Sequence, residues 1–340
     1  MPRLLDRLGW PELVGLGLLV SFVVWAGISA ALADRTLSPT SPYVLTPAFL
    51  LLGTLAGEAL APYAGTRRLT TALTGVVLVF GAGVVVSSRS GKEPLGYPNA
   101  NAAAAVQLIA LCGLALLVAH GVDRLVLGLA VLVALLVVGL NRSAGGLVVG
   151  LPLAVLVLAM LWRPARQRWW AVLISAVSLV AGAAGIIWLA GLSPWPAWAV
   201  RAFDPVRQQL WHDAITLWRS HPVIGAGPGS FADATPLAVD ADTSTAHSSV
   251  LQVGSETGLV GVGLLALVAL VGVVIASRGP APAAVIGIAG WTALGVHSLV
   301  DHLLEFAVVV VAAGMVLGWA RASRPSEELD VPERERPVTR

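Results

Sequence analysis

The stretch Arg207–Gly261 reads RQQLWHDAITLWRSHPVIGAGPGSFADATPLAVDADTSTAHSSVLQVGSETGLVG, the longest polar segment in an otherwise apolar chain. It opens on an amphipathic pattern, passes through a glycine-rich turn and an acidic loop, and returns to apolar sequence at His247. The sequence on both sides decides the fold. Of 340 residues, 57% are hydrophobic and only 12% are charged, and the mean hydropathy is +0.84. Soluble domains carry about 25% charged residues. A soluble fold has no interior large enough for this much apolar surface, so the expected class is all-α, a polytopic membrane helical bundle. The net charge is only +2, its placement matters more than its size, and no nucleic acid is expected as a partner. The single cysteine, Cys112, rules out an intrachain disulfide and a cysteine-based metal site.

A membrane span needs roughly 20 mainly apolar residues. Ten stretches are candidates: 13–33, 44–61, 70–88, 102–119, 124–140, 144–162, 169–192, 247–275, 281–300 and 303–321. Only Asn141, Arg142 and Ser143 separate the fifth from the sixth, which predicts a tight hairpin. Basic residues in short loops set orientation. With the N-terminus inside, inner loops carry Arg3, Arg7, Arg67, Arg68, Arg124, Arg163, Arg166, Arg168, Arg278, Arg321 and Arg324. Outer loops carry only Arg35, Arg89, Lys92 and Arg142. Both termini are then cytoplasmic, and the loop 193–246 and the Arg142 hairpin lie outside. Ala31-Leu32-Ala33 resembles a signal-peptidase site, but the apolar run before it is long for a signal core, so an uncleaved first helix is expected. Residues 1–321 read as one membrane domain, and the charged, proline-bearing tail 322–340 as a disordered cytosolic end.

Inside the long loop, Asp204-Pro205 is a helix N-cap followed by proline at the first helical position. The predicted helix runs to about Ser220, with a stripe of Leu210, Trp211, Ala214, Leu217 and Trp218 at three-and-four spacing. It lies on the membrane surface or roofs the bundle, with Arg207 beside the stripe pointing in. Gly225, Gly227 and Gly229 make a turn that lacks the lysine of a P-loop; it is either a sharp bend or a place where amides approach a phosphate. Asp240 and Asp242 read as a solvated pair.

Several polar residues fall next to membrane sequence. His247 opens the eighth span; a neutral imidazole there can accept a proton. Glu256, nine residues on, lies about 900° around an ideal helix and so faces away from His247 unless the helix breaks. It shares a face with Gln252, which predicts a buried hydrogen bond between them. Asn99 and Asn101, in GYPNANAAAAVQ, either cap the fourth span or form a polar rim. Arg142 either snorkels to headgroups or binds an anion with its planar fork of donors. In VHSLVDHLLEF, His297, Asp301 and Glu305 recur every four residues and would share one face, as a polar cavity wall or, less simply, a metal site.

The order of these features resembles the O-antigen ligase and O-antigen polymerase superfamily of bacterial membrane glycosyltransferases. The resemblance rests on RQQLW, SHPVIGAGPGSF, AHSSVLQ and SETGLVG between 207 and 261, with GYPNANAAA and HSLVD as weaker companions. It implies a GT-C-like fold, an outer catalytic loop, and an undecaprenyl-pyrophosphate-linked glycan as donor, with no metal or cofactor. It also implies His247 as the base that deprotonates an acceptor hydroxyl, Arg207 as the donor-pyrophosphate ligand and Arg142 as a second one. Gly227 and Gly229 join the substrate-binding set, with Glu256, Gln252, Asn101, His297 and Asp301 in support. The partners implied are a lipid-linked oligosaccharide donor, a glycan or lipid acceptor and membrane lipids in the inner membrane. The chain departs from the pattern at Ser248, where Asn is common, and at Arg142, displaced by two positions from the family's arginine. Ten spans also fall short of the twelve that ligases often have. A transporter or flippase is the competing class; it predicts inverted repeats and charges near the bilayer midplane. A non-catalytic scaffold is a third.

Overall fold

A computed structural model describes residues 9–90, 93–240 and 242–323, with the side chains of 88–90 left aside. Arg3, Arg7, Lys92, Arg324 and the tail beyond Ser323 therefore lie outside the described residues, as does the Arg89 side chain. The described chain is helical, without strands. In order the helices are α1 (Trp10–Leu32), α2 (Pro42–Leu60), α3 (Arg67–Ser90), α4 (Pro98–Leu116), α5 (Gly121–Leu140), α6 (Ala144–Ala159) and α7 (Trp169–Ala190). Then come α8 (Ala197–Ala202), α9 (Pro205–Ser220), α10 (Ser230–Ala234), α11 (Ser249–Ala276), α12 (Ala281–Ser298) and α13 (Ala307–Ala322). Eight of them are long and apolar enough to cross a membrane. The sixth and tenth predicted spans correspond to α6 and α13, which are apolar but only 16 residues each, shorter than the sequence suggested.

The two ends of the bundle can be told apart by their contacts. At one end Arg321 on α13 bonds Glu12 on α1 at 2.6 Å and also Glu58 on α2, while Arg278 lies 3.6 Å from Glu12. The first and last helices thus begin and finish at the same end. At the opposite end lie the Asn141–Ser143 hairpin, the start of α4 and the described residues of the 193–246 segment.

Two features of composition set the packing. Helix α4 is alanine-rich and buried almost along its whole length, so its neighbours α5, α6, α12 and α13 approach closely around it. Helices α2 and α13 cross through paired small residues. A Cβ on Gly53 or Gly57 would run into the carbonyls of Val311 or Met315, and one on Gly314 or Gly318 into those of Leu50 or Thr54. Close backbone approach of this kind is how apolar helices associate where no hydrophobic driving force separates them from lipid.

Helix α9 is the predicted amphipathic helix. Asp204 caps it, accepting from the Arg207 amide at 2.8 Å, and Pro205 occupies the first turn. Leu210, Trp211, Ala214, Ile215 and Trp218 are buried against the ends of α7 and α11. The Trp218 ring lies where a Cβ on Gly254 would sit. The helix roofs the bundle, one of the two placements the sequence allowed.

Helix α11 is broken at Gly258, whose φ of 69° and ψ of −167° are non-helical. A break inside an apolar bundle frees carbonyls that need donors. The glycine turn supplies them: Ala226 N–H donates to Ser255 O at 2.9 Å and Gly227 N–H to Glu256 O at 2.8 Å. Ser29 Oγ adds a bond to Glu256 O at 3.0 Å, and the Trp25 indole one to Thr257 O at 2.8 Å. Gly225, Gly227 and Gly229 all have φ of 80–89°, a left-handed conformation that side chains disfavour.

Candidate active site

The polar centre of the structure is Asp301. Its Oδ2 accepts from Asn99 Nδ2 at 2.6 Å, from Tyr97 Oη at 3.1 Å and from Arg207 Nη2 at 3.1 Å. Its Oδ1 accepts the His302 amide at 2.8 Å and lies 3.0 Å from His302 Nδ1 and 3.7 Å from His247 Nδ1. The carboxylate is 2% exposed. Burial alone would raise its pKa. The bond from His302 and the charge of Arg207 outweigh that and hold it down at about 2, so it is ionised throughout the physiological range.

Position 301 reaches this centre because α12 ends at Ser298. Residues 299–306 then turn through a single 3-10 turn, Leu303–Glu305, before α13 begins. The expectation that His297, Asp301 and Glu305 share one helical face is thereby corrected: only His297 is on the helix. His297 is buried with Nε2 3.4 Å from Ser143 Oγ, which ties α12 to the hairpin. Glu305 opens into the neighbouring cavity.

His247 sits just before α11 with φ of 47°, a left-handed conformation costly for a side-chain-bearing residue, and it is 6% exposed. Its Nε2 lies 3.1 Å from the Asp242 carbonyl oxygen and 3.5 Å from the Asp242 carboxylate. Oxygen atoms of both kinds only accept, so Nε2 carries the proton and Nδ1 the lone pair. Nδ1 faces Tyr97 Oη at 3.4 Å. Burial first, and then the neighbouring His302, push the His247 pKa below its usual value, leaving the ring neutral. The Trp211 indole, 3.4 Å from the His247 carbonyl, fixes the backbone here.

Arg207 approaches from α9. Its Nη2 meets Asp301, its Nη1 is 3.7 Å from Asp204, and its Nε is buried with no hydrogen-bond partner. Arg142 is placed differently. It stands at the hairpin tip with φ of 53°, exposed, and its guanidinium forms no hydrogen bond or ion pair among the described residues. Its neighbour Asn141 contacts Asn101 at 3.2 Å; Asn101 is fully buried and also holds Glu93 at 2.7 Å and the Leu95 amide at 3.1 Å. Asn101 thus anchors the loop before α4, and Asn99 reaches the centre itself.

Glu256 forms a separate polar group. It accepts from Gln252 Nε2 at 2.9 Å, Tyr43 Oη at 2.9 Å and the Phe231 amide at 3.2 Å, with the Gly229 amide also facing it. Gln252 in turn accepts from the Ala246 amide at 2.7 Å. The Gln252–Glu256 bond matches the sequence reading. The helix does break, but beyond Glu256, and Glu256 does not contact His247. The amides of Gly227 and Gly229 are directed at Glu256.

Two residues of the centre were not singled out in the sequence. Tyr97 was read only as a neighbour of Asn99, and His302 lay unremarked between Asp301 and Glu305. The signal for His302 was present: a second histidine next to the carboxylate in an apolar context. The ligating atoms of Asp242, His247 and His302 lie within 4.8 Å of one another, so these three are the residues able to hold a divalent cation, with Arg207 adding positive charge beside them. Asp240, by contrast, is exposed and bonds Thr243 in a local turn.

Beside the centre lies a cavity of about 550 Å³ between α1, α2, α7, α11 and α12. Its walls are apolar, including Leu19, Phe22, Leu179 and Leu265, and it ends on Tyr43, Gln252, Glu256, His302 and Glu305.

A search of curated proteins returns no match to the chain. Residues 128–266, from within α5 to the middle of α11, match the family model described as O-antigen ligase. That span contains Arg142, Arg207, the glycine turn, His247 and Glu256. Within a multi-pass helical membrane bundle, residues 128–266 are thus similar to an O-antigen ligase domain, and the chain's resemblance is to the O-antigen ligase/polymerase superfamily, whose general activity is glycan transfer.

Proposed function

We propose that the chain is a glycosyltransferase that takes glycan from an undecaprenyl-pyrophosphate donor at the outer face of the inner membrane. It passes that glycan to a glycan or lipid acceptor. The observation that carries this reading is the cluster of buried His247 and Asp301 with half-buried Arg207, Tyr97 and Asn99 beside an apolar cavity. The arginine-rich loops belong to the opposite end of the bundle, which supports an outer site with both termini in the cytoplasm.

His247 is the base. With Nε2–H held by Asp242, Nδ1 receives the proton of the acceptor hydroxyl as that oxygen attacks the anomeric carbon. The glycosidic bond to phosphate breaks, and the pyrophosphate leaves with the bonding electron pair. Charge develops on its oxygens, where a fixed guanidinium in a poorly hydrated site acts most strongly. Arg207 meets that need: its Nε–H is buried without an acceptor, a donor left open for an anion. Arg142, exposed at the hairpin tip, is the second phosphate ligand, engaged from the solvent side. The cavity takes the start of the polyprenyl tail. A metal is not required by this scheme, since the base and the cations come from side chains.

The test uses purified protein with a lipid-linked oligosaccharide. His247→Ala should lower glycan transfer by on the order of a hundred-fold or more, the scale of a lost general base. Arg207→Ala should raise the KM for donor. Normal transfer by correctly inserted His247→Ala protein would reject the role of the histidine, and absence of transfer by the wild type would reject the activity.

A further inference from the structure

The long loop brings a carboxylate against two imidazoles under the roof of the bundle. One ligand atom each from Asp242, His247 and His302 lies within 4.8 Å of the other two. His247 Nε2 and Asp242 Oδ1 are 3.5 Å apart. A tetrahedral ion with bonds of about 2.0–2.1 Å sets its ligand atoms about 3.3 Å apart, so this pair is already near the required spacing. Behind the histidines stands a shared carboxylate. Asp301 Oδ1 is 3.0 Å from His302 Nδ1 and 3.7 Å from His247 Nδ1, so both rings present Nδ1 to one oxygen. A carboxylate on the far nitrogen is the usual orienting partner of a metal-binding imidazole. His302 Nδ1 is buried and, despite that distance, has no aligned hydrogen-bond partner among the described residues. The local charge also suits a cation. Arg207 is matched by Asp301 at 3.1 Å and faces Asp204 at 3.7 Å, whereas Asp242 pairs only with His247 among the described residues. The Asp242 side chain is 52% exposed and the two histidine side chains 7% each, which gives an ion a way in from solvent and a sheltered seat.

We propose that Asp242, His247 and His302 form a zinc site, oriented by Asp301, and that zinc held there switches glycan transfer off. Two imidazoles and one carboxylate are a zinc set, whereas magnesium and calcium take oxygen ligands. Three protein ligands leave the fourth position of the tetrahedron to water. The inhibition rests on the reading of His247 as the base; the site itself does not. In the resting ring Nε2 carries the proton and Nδ1 the lone pair. Zinc bonds to Nε2 through that nitrogen's electron pair, and the ring proton moves to Nδ1. There Tyr97 Oη at 3.4 Å and Asp301 Oδ1 at 3.7 Å are the oxygens that face it. The ring neither gains nor loses a proton, but the nitrogen that would receive the acceptor's proton is now occupied. The ligands come from two separate segments. Asp242 and His247 precede α11, and His302 lies in the turn before α13, so the ion also ties the end of the long loop to the bundle.

The experiment titrates zinc chloride into purified full-length protein in detergent, stripped of metal with a chelator and free of any histidine tag. Wild type should take up stoichiometric zinc, read by calorimetry and by metal analysis after dialysis. Cobalt(II) in its place should give the intense visible absorption of a tetrahedral site. His302→Gln and Asp242→Asn should each bind on the order of a hundred-fold more weakly, the upper end of what loss of a mere orienting partner costs. Asp240→Asn, in a solvated turn two residues before Asp242, should bind as wild type does. If His302→Gln fails to fold, Asp242→Asn, whose side chain is half exposed, decides. No zinc uptake by wild type would overturn the inference, as would uptake that neither variant weakens. In a transfer assay zinc should abolish wild-type turnover and a chelator restore it; bound zinc with undiminished transfer would overturn the inhibition. Transfer by a wild type that binds no zinc sinks this inference alone. Zinc bound by these residues in a wild type that transfers nothing sinks the transferase reading and leaves the site standing.

Discussion

Replacing Asp301 with Asn should unseat the centre and destabilise the fold. The carboxylate is 2% exposed and accepts from Arg207, Asn99, Tyr97 and the His302 amide. Its pKa falls from 3.8 to about 2, which corresponds to about 2 kcal/mol in favour of the ionised form in the folded protein. That is a lower bound for the substitution. The Asn amide presents an N–H₂ to partners that are themselves donors, and Arg207 loses its buried counter-ion. Removing one member of a buried ion pair costs roughly 3–5 kcal/mol. Asp204→Ala makes the control: that residue is 54% exposed, and loss of its cap costs about 1 kcal/mol. The assay is the half-life of the native state in detergent at fixed temperature, followed by tryptophan fluorescence across a pH series. The sign follows from a depressed carboxylate pKa. The stabilisation is present in full above about pH 4 and is lost as pH falls towards 2. Asp301→Asn should be much shorter-lived than wild type near neutrality and converge on it in acid. An Asp301→Asn protein as long-lived as wild type, with the same acid limb, would refute the reasoning.

Three further substitutions probe the frame around the site. Tyr43→Phe removes the 2.9 Å bond to buried Glu256 and should cost about 1–3 kcal/mol, read as a lowered thermal midpoint; an unchanged midpoint would show that Gln252 and the Phe231 amide satisfy Glu256 alone. At the far end, Arg321→Ala strands Glu12, whose side chain is 7% exposed, and should cost roughly 3 kcal/mol, whereas Arg278→Ala, 44% exposed and 3.6 Å away, should cost under about 1 kcal/mol. Equal effects of these two variants in the same melt would contradict the assigned pairing.

Local pattern carried the elements well. The ten apolar stretches, the hairpin at Asn141–Ser143, the Asp204 cap with the buried stripe of α9, and the Gln252–Glu256 bond are all consequences of period and capping, which act over a few residues. What escaped was the meeting of distant segments. Asp301 could be placed at the centre only once α12 was known to end at Ser298, and a run as apolar as 281–321 gives little sign of where a helix stops. The glycine turn is the clearer case. Its left-handed residues were visible as a bend, but the break at Gly258 was not, so nothing in the sequence showed that the Ala226 and Gly227 amides answer the Ser255 and Glu256 carbonyls, each 29 residues further on. The α2–α13 crossing has the same character. Gly53, Gly57, Gly314 and Gly318 have meaning only when the two helices are face to face.

The arrangement around Asp301 also bears on what the site awaits. Arg207 comes from the roof helix, Tyr97 and Asn99 from the start of α4, His247 from the end of the long loop, and His302 from the turn before α13. A single carboxylate therefore reports whether four separate segments are in place. It does so mainly through one ion pair, since the guanidinium of Arg207 meets this buried anion, while the carboxylates beside Arg207 and His247, Asp204 and Asp242, are about half exposed. Breaking that pair from either side leaves a buried charge uncompensated. An Arg207→Met protein leaves Asp301 without its buried counter-ion and should be much shorter-lived than wild type, as Asp301→Asn is; a half-life as long as wild type's would mean that Asn99, Tyr97 and the His302 amide hold the carboxylate without the guanidinium.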